Sequence, residues 1–363
     1  MMGEEAPAVG VELVVLATSP TDPAVQVAAS AIVGGAADEA ALRRLGGLCE
    51  VVTFDHELVD LDLLVRLEED GVVFRPSPAA LRFSVDKAFQ REDFASNDLP
   101  VPHHVVVRRE SDLSVLSGWS ERYGAPPVLK AARGGYDGRG VVFPADDAEA
   151  LDVARDMVVR GEVVVEERVT LLGEVSQMVA RSTTGRIVAY PLVTTVQSQG
   201  MCVEVRHPVE IAAVDELFAR VLAERIAEHV GLVGVMAVEY FVTPRGLLIN
   251  ELALRPHNSG HWTIEGARTS QFANHLRAVS GQEVGSADAL SAAAVMVNVI
   301  GAERPGSIDA AKQVAGVAVH DYRKDWRPGR KLGHVTAIGD DLASLHVRAW
   351  SSARAYGTDT EEA

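Results

Sequence analysis

The 363-residue sequence contains only two cysteines, Cys49 and Cys202. Two thiols cannot form the disulfide framework that small secreted domains use in place of a large core. The sequence also lacks an apolar run approaching the ~20 residues that a membrane-spanning helix needs. Its opening, MMGEEAPAVG, shows neither the basic region nor the apolar stretch of a signal peptide. These features predict a cytoplasmic protein with no membrane partner.

Positive charge and aromatic side chains are also scarce. Thirty-four Lys and Arg stand against 51 Asp and Glu, and the net charge of −17 disfavours nonspecific binding of nucleic acid. Aromatic residues make up only 5% of the chain while small and aliphatic residues are plentiful, which favours an α/β architecture over a β-sandwich. The length of the chain predicts two or three domains.

Short apolar runs alternate with helical patterns over the first 83 residues, which indicates a parallel, doubly wound sheet. Strands are predicted at 11–16, 31–34, 51–54 and 72–74. Such a domain usually opens with a strand and a Gly-rich turn that leads into the first helix. Here the first helical pattern, at 1–9, begins with the first residue. Because a parallel sheet without a central strand exposes hydrogen-bonding groups, we expect the natural start to lie upstream; a destabilised fragment is the alternative.

The pattern from residue 84 onward is mixed α+β. A helix is predicted over 84–96, strands over 127–132, 141–143, 161–166 and 174–180, and an amphipathic helix over 214–229. A β-hairpin follows that helix, and short strands return after residue 291. We therefore expect domains at 1–83 and 84–290, a small β-rich domain at 291–355, and a disordered tail at 356–363.

Four glycines within seven residues mark the segment KAARGGYDGRG, residues 130–140. Glycines permit positive φ and allow backbone N–H groups to approach an anion closely. A strand follows these glycines, whereas a Walker loop needs a helix there. The pattern therefore indicates a hairpin tip over nucleotide phosphates, with Lys130 reaching a phosphate from the preceding strand. A simple hairpin loop is the alternative.

The predicted hairpin carries Glu239, Asn250 and Glu251. If its loop is centred on Arg245, Glu239 lies directly opposite Glu251, where two carboxylates repel each other and are costly to desolvate. A bridging Mg²⁺, or Mn²⁺, resolves both problems, and Asn250 adds a neutral oxygen ligand. With a different loop length the two acids would separate onto solvated faces.

Three other polar segments are candidates for ligand binding. Arg255, in the donor-rich run LALRPHNSGHW, could hold bicarbonate through two parallel hydrogen bonds. Glu166 and Glu174 flank the end of an apolar strand, either as ordinary exposed acids or as partners of an adenine amine and of ribose hydroxyls. The cluster RKDWRPGRK, residues 323–331, holds five cations and is either a solvated loop or a local anion site.

Together these motifs resemble the ATP-grasp superfamily and, within it, the 5-(carboxyamino)imidazole ribonucleotide synthases. The run NELALRPHNSGHWTIEGARTSQFANHLRAVSG resembles that family's most distinctive segment. The segments PSPAALRFSVDKAFQREDF, LKAARGGYDGRGVV, GEVSQMVAR and RPGRKLGHVT match the family in the same order. The resemblance implies an ATP-grasp fold with an N-terminal preATP-grasp domain, ATP held between two sheets, and a homodimer.

The resemblance also implies roles for individual residues. Nucleotide contacts are implied for Lys87, Lys130, Gly135, Tyr136, Asp137, Gly138, Arg139, Gly140, Val141, Glu166, Glu167, Arg168, Val169, Glu174, Gln197, Asn250 and Glu251, and metal contacts for Glu239, Asn250 and Glu251. Tyr136, Asp137, Arg139 and Arg255 would serve catalysis, and Glu57, His257, Asn258, Lys324, Arg330 and Lys331 would bind the substrate. The family usually has histidine near Gln197, and Asp55 replaces the first glutamate of its ExE pattern.

The implied reaction has two steps. Bicarbonate attacks the γ-phosphate of ATP in line while Mg²⁺ and the lysines neutralise charge. The resulting carboxyphosphate delivers its carboxyl group to the exocyclic amine of aminoimidazole ribonucleotide, under a glycine loop that excludes water. A formate-dependent glycinamide ribonucleotide transformylase and a biotin carboxylase-like enzyme are alternatives, as is an inactive nucleotide-binding homologue.

Overall fold

The computed structural model describes residues 1–135, 140–212 and 214–359. Within these ranges the strands form three sheets, of two, four and nine strands. The smallest sheet lies in the N-terminal region. That region contains α1 (Met2–Val9), β1 (Val14–Ala17), β2 (Ser30–Val33), α2 (Glu39–Leu48), α3 (Leu61–Glu69) and α4 (Pro78–Val85), with a 3₁₀ turn at Pro23–Gln26.

Parallel pairing in the N-terminal region agrees with the sequence pattern, but the sheet is smaller than predicted. Strand β1 pairs in parallel with β2. The strands predicted at 51–54 and 72–74 reduce to one parallel bridge between Val52 and Phe74. Asp38 and Asp60 fix the starts of helices α2 and α3, because their carboxylates accept hydrogen bonds from backbone N–H groups of the first turn.

The four-stranded sheet has the order β3-β6-β4-β5 and is antiparallel. Its region contains α5 (Lys87–Ser96), β3 (His104–Val107), α6 (Trp119–Tyr123), β4 (Val128–Ala131), β5 (Val141–Val142), α7 (Asp147–Val158) and β6 (Val163–Glu166), with a 3₁₀ helix at Glu110–Leu116. The helix predicted over 84–96 is confirmed from Lys87 to its end at Ser96, but its predicted start is wrong because residues 84 and 85 belong to α4. Asp86 leaves the helical conformation after α4, and its carboxylate caps α5 by accepting from the Phe89 N–H.

The nine-stranded sheet has the order β12-β11-β7-β9-β10-β13-β15-β14, with β8 paired to β7. Its strands are β7 (Gly173–Arg181), β8 (Ile187–Ala189), β9 (Val193–Ser198), β10 (Met201–His207), β11 (Gly234–Thr243), β12 (Gly246–Ala253), β13 (Ala293–Ile300), β14 (Val317–Asp321) and β15 (Lys331–Gly339). The associated helices are α8 (Glu216–His229), α9 (Thr263–Gly266), α10 (Gln271–Val279), α11 (Ile308–Lys312) and α12 (Leu342–Tyr356), with a 3₁₀ turn at Asn258–Gly260.

The C-terminal strands extend the central sheet, because β13 pairs with β10. Helix α12 packs on them, and buried Glu204 on β10 accepts hydrogen bonds from the indole of Trp350 at 2.9 Å and from His346 at 2.7 Å. The predicted disordered tail differs at its start, since Tyr356 ends α12 and Thr358 is buried. Residues 360–363 of that tail lie outside the described residues.

One large core joins the N-terminal region to the central sheet. It combines side chains of α2, α3 and α4 with those of α8 and of strands β7, β11 and β12, including Leu64, Leu81, Ile226 and Val238. Because a close-packed core resists movement, this shared packing fixes the nine-stranded sheet and the loops that leave it relative to the N-terminal region. None of the helices in the described residues has the length and apolarity needed to cross a bilayer.

Candidate active site

The two acids of the β11–β12 hairpin face each other, as predicted. Glu239 pairs with Glu251 across the two strands. The reason differs from the predicted one, because the turn is only the two residues between Thr243 and Gly246. An unbroken ladder from that turn would place Asn250 opposite Glu239. The register shifts at this point, so that Asn250 is the extra residue of a β-bulge and Glu251 takes the opposing position.

The Glu239–Glu251 pair has the character of a cation site. Burial, followed by the charges of Glu251 and Glu174, raises the pKa of Glu239 to about 8. Glu251 accepts a hydrogen bond from Lys87 Nζ at 3.1 Å. Among the described residues no group of three His, Cys, Asp or Glu side chains could hold a metal. Two carboxylates and the Asn250 amide oxygen nevertheless form an oxygen-only set that fits Mg²⁺.

Three buried charges connect the four-stranded sheet to this bulge. Lys130 Nζ on β4 lies 2.7 Å from Glu166 Oε2 and donates to Asn250 Oδ1 at 3.1 Å. Arg91 on α5 donates from Nε to Glu166 Oε1 at 2.7 Å and from Nη2 to the Asn250 carbonyl at 2.6 Å. Burial opposes ionisation of Glu166, but Arg91 and Lys130 together lower its pKa to about 2.

The partners of the Glu166 carboxylate were not predicted from the sequence. Each of its oxygens contacts a buried cation, Oε1 with Arg91 and Oε2 with Lys130. Arg91 was missed by reasoning from the sequence. A signal for it exists, because Arg91 follows Lys87 by four residues on α5, and that spacing places both cations on one helix face.

The other residues predicted to contact the nucleotide have local contacts of their own. Glu167 accepts from the His103 N–H at 2.9 Å and pairs with Arg245, and Arg168 donates to the Pro144 carbonyl at 2.8 Å. Val169, Gln197 and Val141 are half-buried, Gly140 has φ +79°, and Gly135 is the last described residue before the glycine loop's tip. Burial raises the pKa of Glu174. Tyr136, Asp137, Gly138 and Arg139 lie outside the described residues.

Glu57 and Arg255, predicted separately as substrate-binding and bicarbonate-binding residues, contact each other. Arg255 Nε donates to Glu57 Oε2 at 2.9 Å, and Nη2 lies 2.8 Å from the same oxygen. The Leu254 N–H donates to the other oxygen at 3.2 Å. Burial raises the pKa of Glu57 although Arg255 opposes that shift. Nη1 donates once, to the Pro256 carbonyl, so among the described residues two N–H groups of the guanidinium have no acceptor.

The loop after β12 is held by its own polar side chains. His257 Nδ1 lies 2.9 Å from the Ser259 hydroxyl, and His257 Nε2 lies 3.8 Å from Glu239 Oε1. Burial lowers the pKa of His257 far below its ordinary value. The Asn258 amide is engaged in a reciprocal pair with buried Asn298 on β13, through hydrogen bonds of 2.8 and 2.7 Å. Asn298 was also missed from the sequence.

A cavity of about 1850 Å³ brings the remaining candidates together. Its lining includes Arg255 and Asn258 from the β12 loop and Lys324, Arg330 and Lys331 from the basic cluster. Lys324 Nζ lies 5.2 Å from the centre of the Tyr322 ring, and Arg330 Nη1 donates to the Asp325 carbonyl at 3.2 Å. Residues predicted from distant parts of the sequence thus line one cavity.

Comparison with known families matches most of the chain. A ribonucleotide synthetase preATP-grasp domain matches residues 1–84, an ATP-grasp domain matches 92–272, and a phosphoribosylaminoimidazole carboxylase C-terminal domain matches 294–348. The N5-carboxyaminoimidazole ribonucleotide synthase of Mycobacterium tuberculosis is 46% identical over 360 residues, covering 96% of this chain and 83% of its own length. The enzyme of that name from Synechocystis is 37% identical over 367 residues, covering 97% and 92%.

Solved structures agree with these relatives. The N5-carboxyaminoimidazole ribonucleotide synthetase of Thermus thermophilus superimposes with a TM-score of 0.88 at 34% identity, covering 100% of this chain and 97% of that one. An N5-carboxyaminoimidazole synthase from Aspergillus clavatus, in complex with ADP and 5-aminoimidazole ribonucleotide, gives a TM-score of 0.85 at 26% identity and covers 98% and 95%.

Proposed function

The chain belongs to the N5-carboxyaminoimidazole ribonucleotide synthase family of ATP-grasp enzymes, and from this membership we propose that it carboxylates 5-aminoimidazole ribonucleotide with ATP. It is a carbon–nitrogen ligase that forms ADP, in purine biosynthesis. The observation that carries this proposal is the meeting of Lys87 and Lys130 with Glu251 and Asn250 opposite Glu239, four residues before an arginine, Arg255, that lines one cavity with the basic cluster.

The nucleotide is proposed to lie between the four-stranded and the nine-stranded sheets. Lys87 and Lys130 already converge on Glu251 and Asn250, so their ammonium groups would meet the phosphates of ATP there. Glu239, Asn250 and Glu251 would hold Mg²⁺, or Mn²⁺ in its place. A metal bound there would neutralise charge on the phosphate oxygens during transfer.

Bicarbonate is proposed to bind beside this cleft. The two remaining N–H groups of Arg255 suit its planar oxyanion, and the Glu57 carboxylate holds the guanidinium in place. Bicarbonate oxygen would attack the γ-phosphorus, releasing ADP and leaving carboxyphosphate. The exocyclic amine of the ribonucleotide would then take the carboxyl group as phosphate leaves. Glu57, His257 and Asn258 would orient the substrate, and the glycine loop with Tyr136, Asp137 and Arg139 would exclude water.

Three further properties complete the proposal. Lys324, Arg330 and Lys331 would hold the ribose 5′-phosphate, because they form a group of cations in this acidic protein and line the same cavity as Arg255. A homodimer is proposed from the family resemblance. A cytoplasmic location fits the two free thiols, Cys49 and Cys202, which remain reduced in that compartment.

A coupled assay of ADP formation tests the function directly. ADP release by the purified chain is expected to require both aminoimidazole ribonucleotide and bicarbonate. Formate with glycinamide ribonucleotide, or biotin, should not replace them. ADP release that depends on formate or biotin would contradict the proposal, and ATP binding without any turnover would identify an inactive homologue.

Substitution of Arg330 tests the phosphate position. Arg330→Ala is expected to raise the KM for the ribonucleotide roughly 10- to 100-fold with little change in the KM for ATP, because it removes a charge-assisted hydrogen bond. Arg327→Ala is the matched control, since Arg327 belongs to the same cluster but is exposed and is not among the described residues that line the cavity. A larger effect on ATP than on the ribonucleotide would place the cluster at another ligand.

A further inference from the structure

The buried side chain of Gln271 holds the loop after β12 at two points. Gln271 is the first residue of α10 and is 0% exposed. Its Oε1 accepts from the His257 N–H at 2.7 Å, while its Nε2 donates to the His257 carbonyl at 2.8 Å and lies 2.8 Å from His261 Nδ1. The approach is so close that a Cβ on Gly260 would lie 2.7 Å from Gln271 Oε1. The loop is therefore built around this amide.

These contacts determine the tautomer of His261. A backbone N–H can only donate, so the Gln271 atom that faces the His257 N–H must be the oxygen. The other amide atom is then the nitrogen, and its two hydrogens point to the His257 carbonyl and to His261 Nδ1. Nδ1 of His261 must accept and cannot carry a proton. The proton of a neutral imidazole at this position lies on Nε2.

The ring of His261 is held in place and lines the cavity. Its centre lies 5.4 Å from that of Phe272 and 5.0 Å from that of His334. His261 lines the same cavity as Asn258, Lys324 and Arg330. Nε2 of His261 makes no hydrogen bond with any described residue. It is also absent from the fully buried polar atoms that lack a partner, so it is at least partly exposed. Burial, with a smaller contribution from Lys331, lowers the pKa of His261 to about 3, so the ring is neutral at pH 7.

We propose that the Gln271 amide fixes His261 as an Nε2–H donor that binds an acceptor atom of the ribonucleotide substrate. The inference rests on the proposed function, and it adds two residues to the substrate site: His261 as a ligand-binding donor and Gln271 as a positioning residue. A neutral donor suits this reaction. It can hold an oxygen or an unprotonated ring nitrogen of the substrate without protonating the exocyclic amine, which must keep its lone pair to attack the carboxyl carbon.

Two substitutions at His261 test the donor. His261→Phe keeps a ring of similar size without an N–H, and it is expected to raise the KM for the ribonucleotide about tenfold, the value of one hydrogen bond. The KM for ATP should stay within about twofold. His261→Gln restores an N–H near the same place and should recover part of the loss. A ribonucleotide KM unchanged in a folded His261→Phe protein would overturn the proposal.

Substitution of Gln271 tests the positioning role. Gln271→Glu keeps the shape but presents an acceptor to His261 Nδ1, so the proton is expected to move to Nδ1, and ¹⁵N NMR of the histidine rings should report that change. Asn274→Asp is the matched control, because it makes the same change three residues along α10, where the amide contacts Tyr190 and Gly285 instead of the loop. Both variants should lose stability, but only Gln271→Glu should raise the ribonucleotide KM.

The outcomes separate this inference from the proposed function. An equal rise in ribonucleotide KM in Asn274→Asp, or an Nδ1-protonated His261 in the native protein, would overturn the role of Gln271. If the native protein carboxylates the ribonucleotide while both His261 variants match it, only the inference fails. If the native protein neither binds nor carboxylates the ribonucleotide in calorimetry and in the coupled assay, the proposed function fails.

Discussion

Glu251→Ala is expected to lower ATP turnover by roughly 10³-fold, because it removes one of two carboxylates proposed to hold the metal on the phosphates. The expected loss exceeds that of an ordinary hydrogen bond for a structural reason. Glu251 faces Glu239 and accepts from Lys87, so its removal changes both the metal site and the placement of a phosphate-binding lysine. Single-turnover formation of ADP at saturating ATP and Mg²⁺ measures the effect on the chemical step.

Two companion variants make the Glu251 result interpretable. Glu251→Gln keeps an oxygen acceptor for Lys87 but removes the charge, and it should lose nearly as much activity if the metal is the reason. Glu283→Ala removes an exposed carboxylate whose hydrogen-bond partner is Thr184, and it should leave turnover unchanged. A near-normal rate for Glu251→Ala would refute the metal role, whereas activity restored in Glu251→Gln would assign the loss to Lys87.

The features that the sequence predicted correctly are those that neighbouring residues encode. Apolar runs marked β11 and β12, and charge density marked the basic cluster, of which all the cations except Arg327 line the cavity. The facing of Glu239 and Glu251 was predicted with an incorrect turn. The actual turn would have misaligned the acids, and the bulge at Asn250 realigns them. A one-residue bulge in these strands does not change the hydrophobic pattern in a recognisable way, so it could not be predicted from the sequence.

The features that could not be predicted depend on contacts between distant residues. Glu57 and Arg255 are 198 positions apart in the sequence. Each was predicted to bind a different ligand, whereas in the structure their side chains bind each other. Glu166 and Arg91 are 75 positions apart. A buried carboxylate and an exposed one at the end of a strand have the same sequence pattern, and only the packing of α5 against β6 distinguishes them. The role of Gln271 could not be predicted either, because its amide makes its hydrogen bonds to the backbone of His257, in the loop that precedes α10.

Glu166→Gln is expected to lower the free energy of unfolding by about 3–5 kcal/mol, because removing one member of a buried ion pair leaves the other charges uncompensated. Arg91 is fully buried and Lys130 nearly so, and both lose their carboxylate partner. Glu162→Gln is the matched control. Glu162 precedes the same strand and pairs with Arg108, but both side chains are exposed, so its removal should cost less than about 1 kcal/mol. Urea unfolding of the two variants and the native protein gives the comparison.

The pH dependence of this difference follows from the lowered pKa of Glu166. Its pKa falls from 4.5 to about 2 on folding, so the stabilisation is fully present above pH 4.5 and is lost as the pH falls from there towards 2. The difference in unfolding free energy between native protein and Glu166→Gln should therefore stay constant from neutral pH down to about pH 5 and shrink below it. A difference that grew on acidification would show that Glu166 is protonated in the folded state.

Glu166→Gln should also weaken ATP binding through Lys130. Burial lowers the pKa of Lys130, and Glu166 is the nearby charge that most strongly opposes this shift. Without that carboxylate the pKa falls further, so Lys130 becomes a poorer cation for the phosphates and also loses a partner that orients it towards Asn250. The KM for ATP is expected to rise while the KM for the ribonucleotide changes little. If Glu166→Gln lowers stability but leaves the KM for ATP unchanged, the role of Glu166 is structural only. A change in the KM for ATP is the result that would connect the buried charges to the nucleotide.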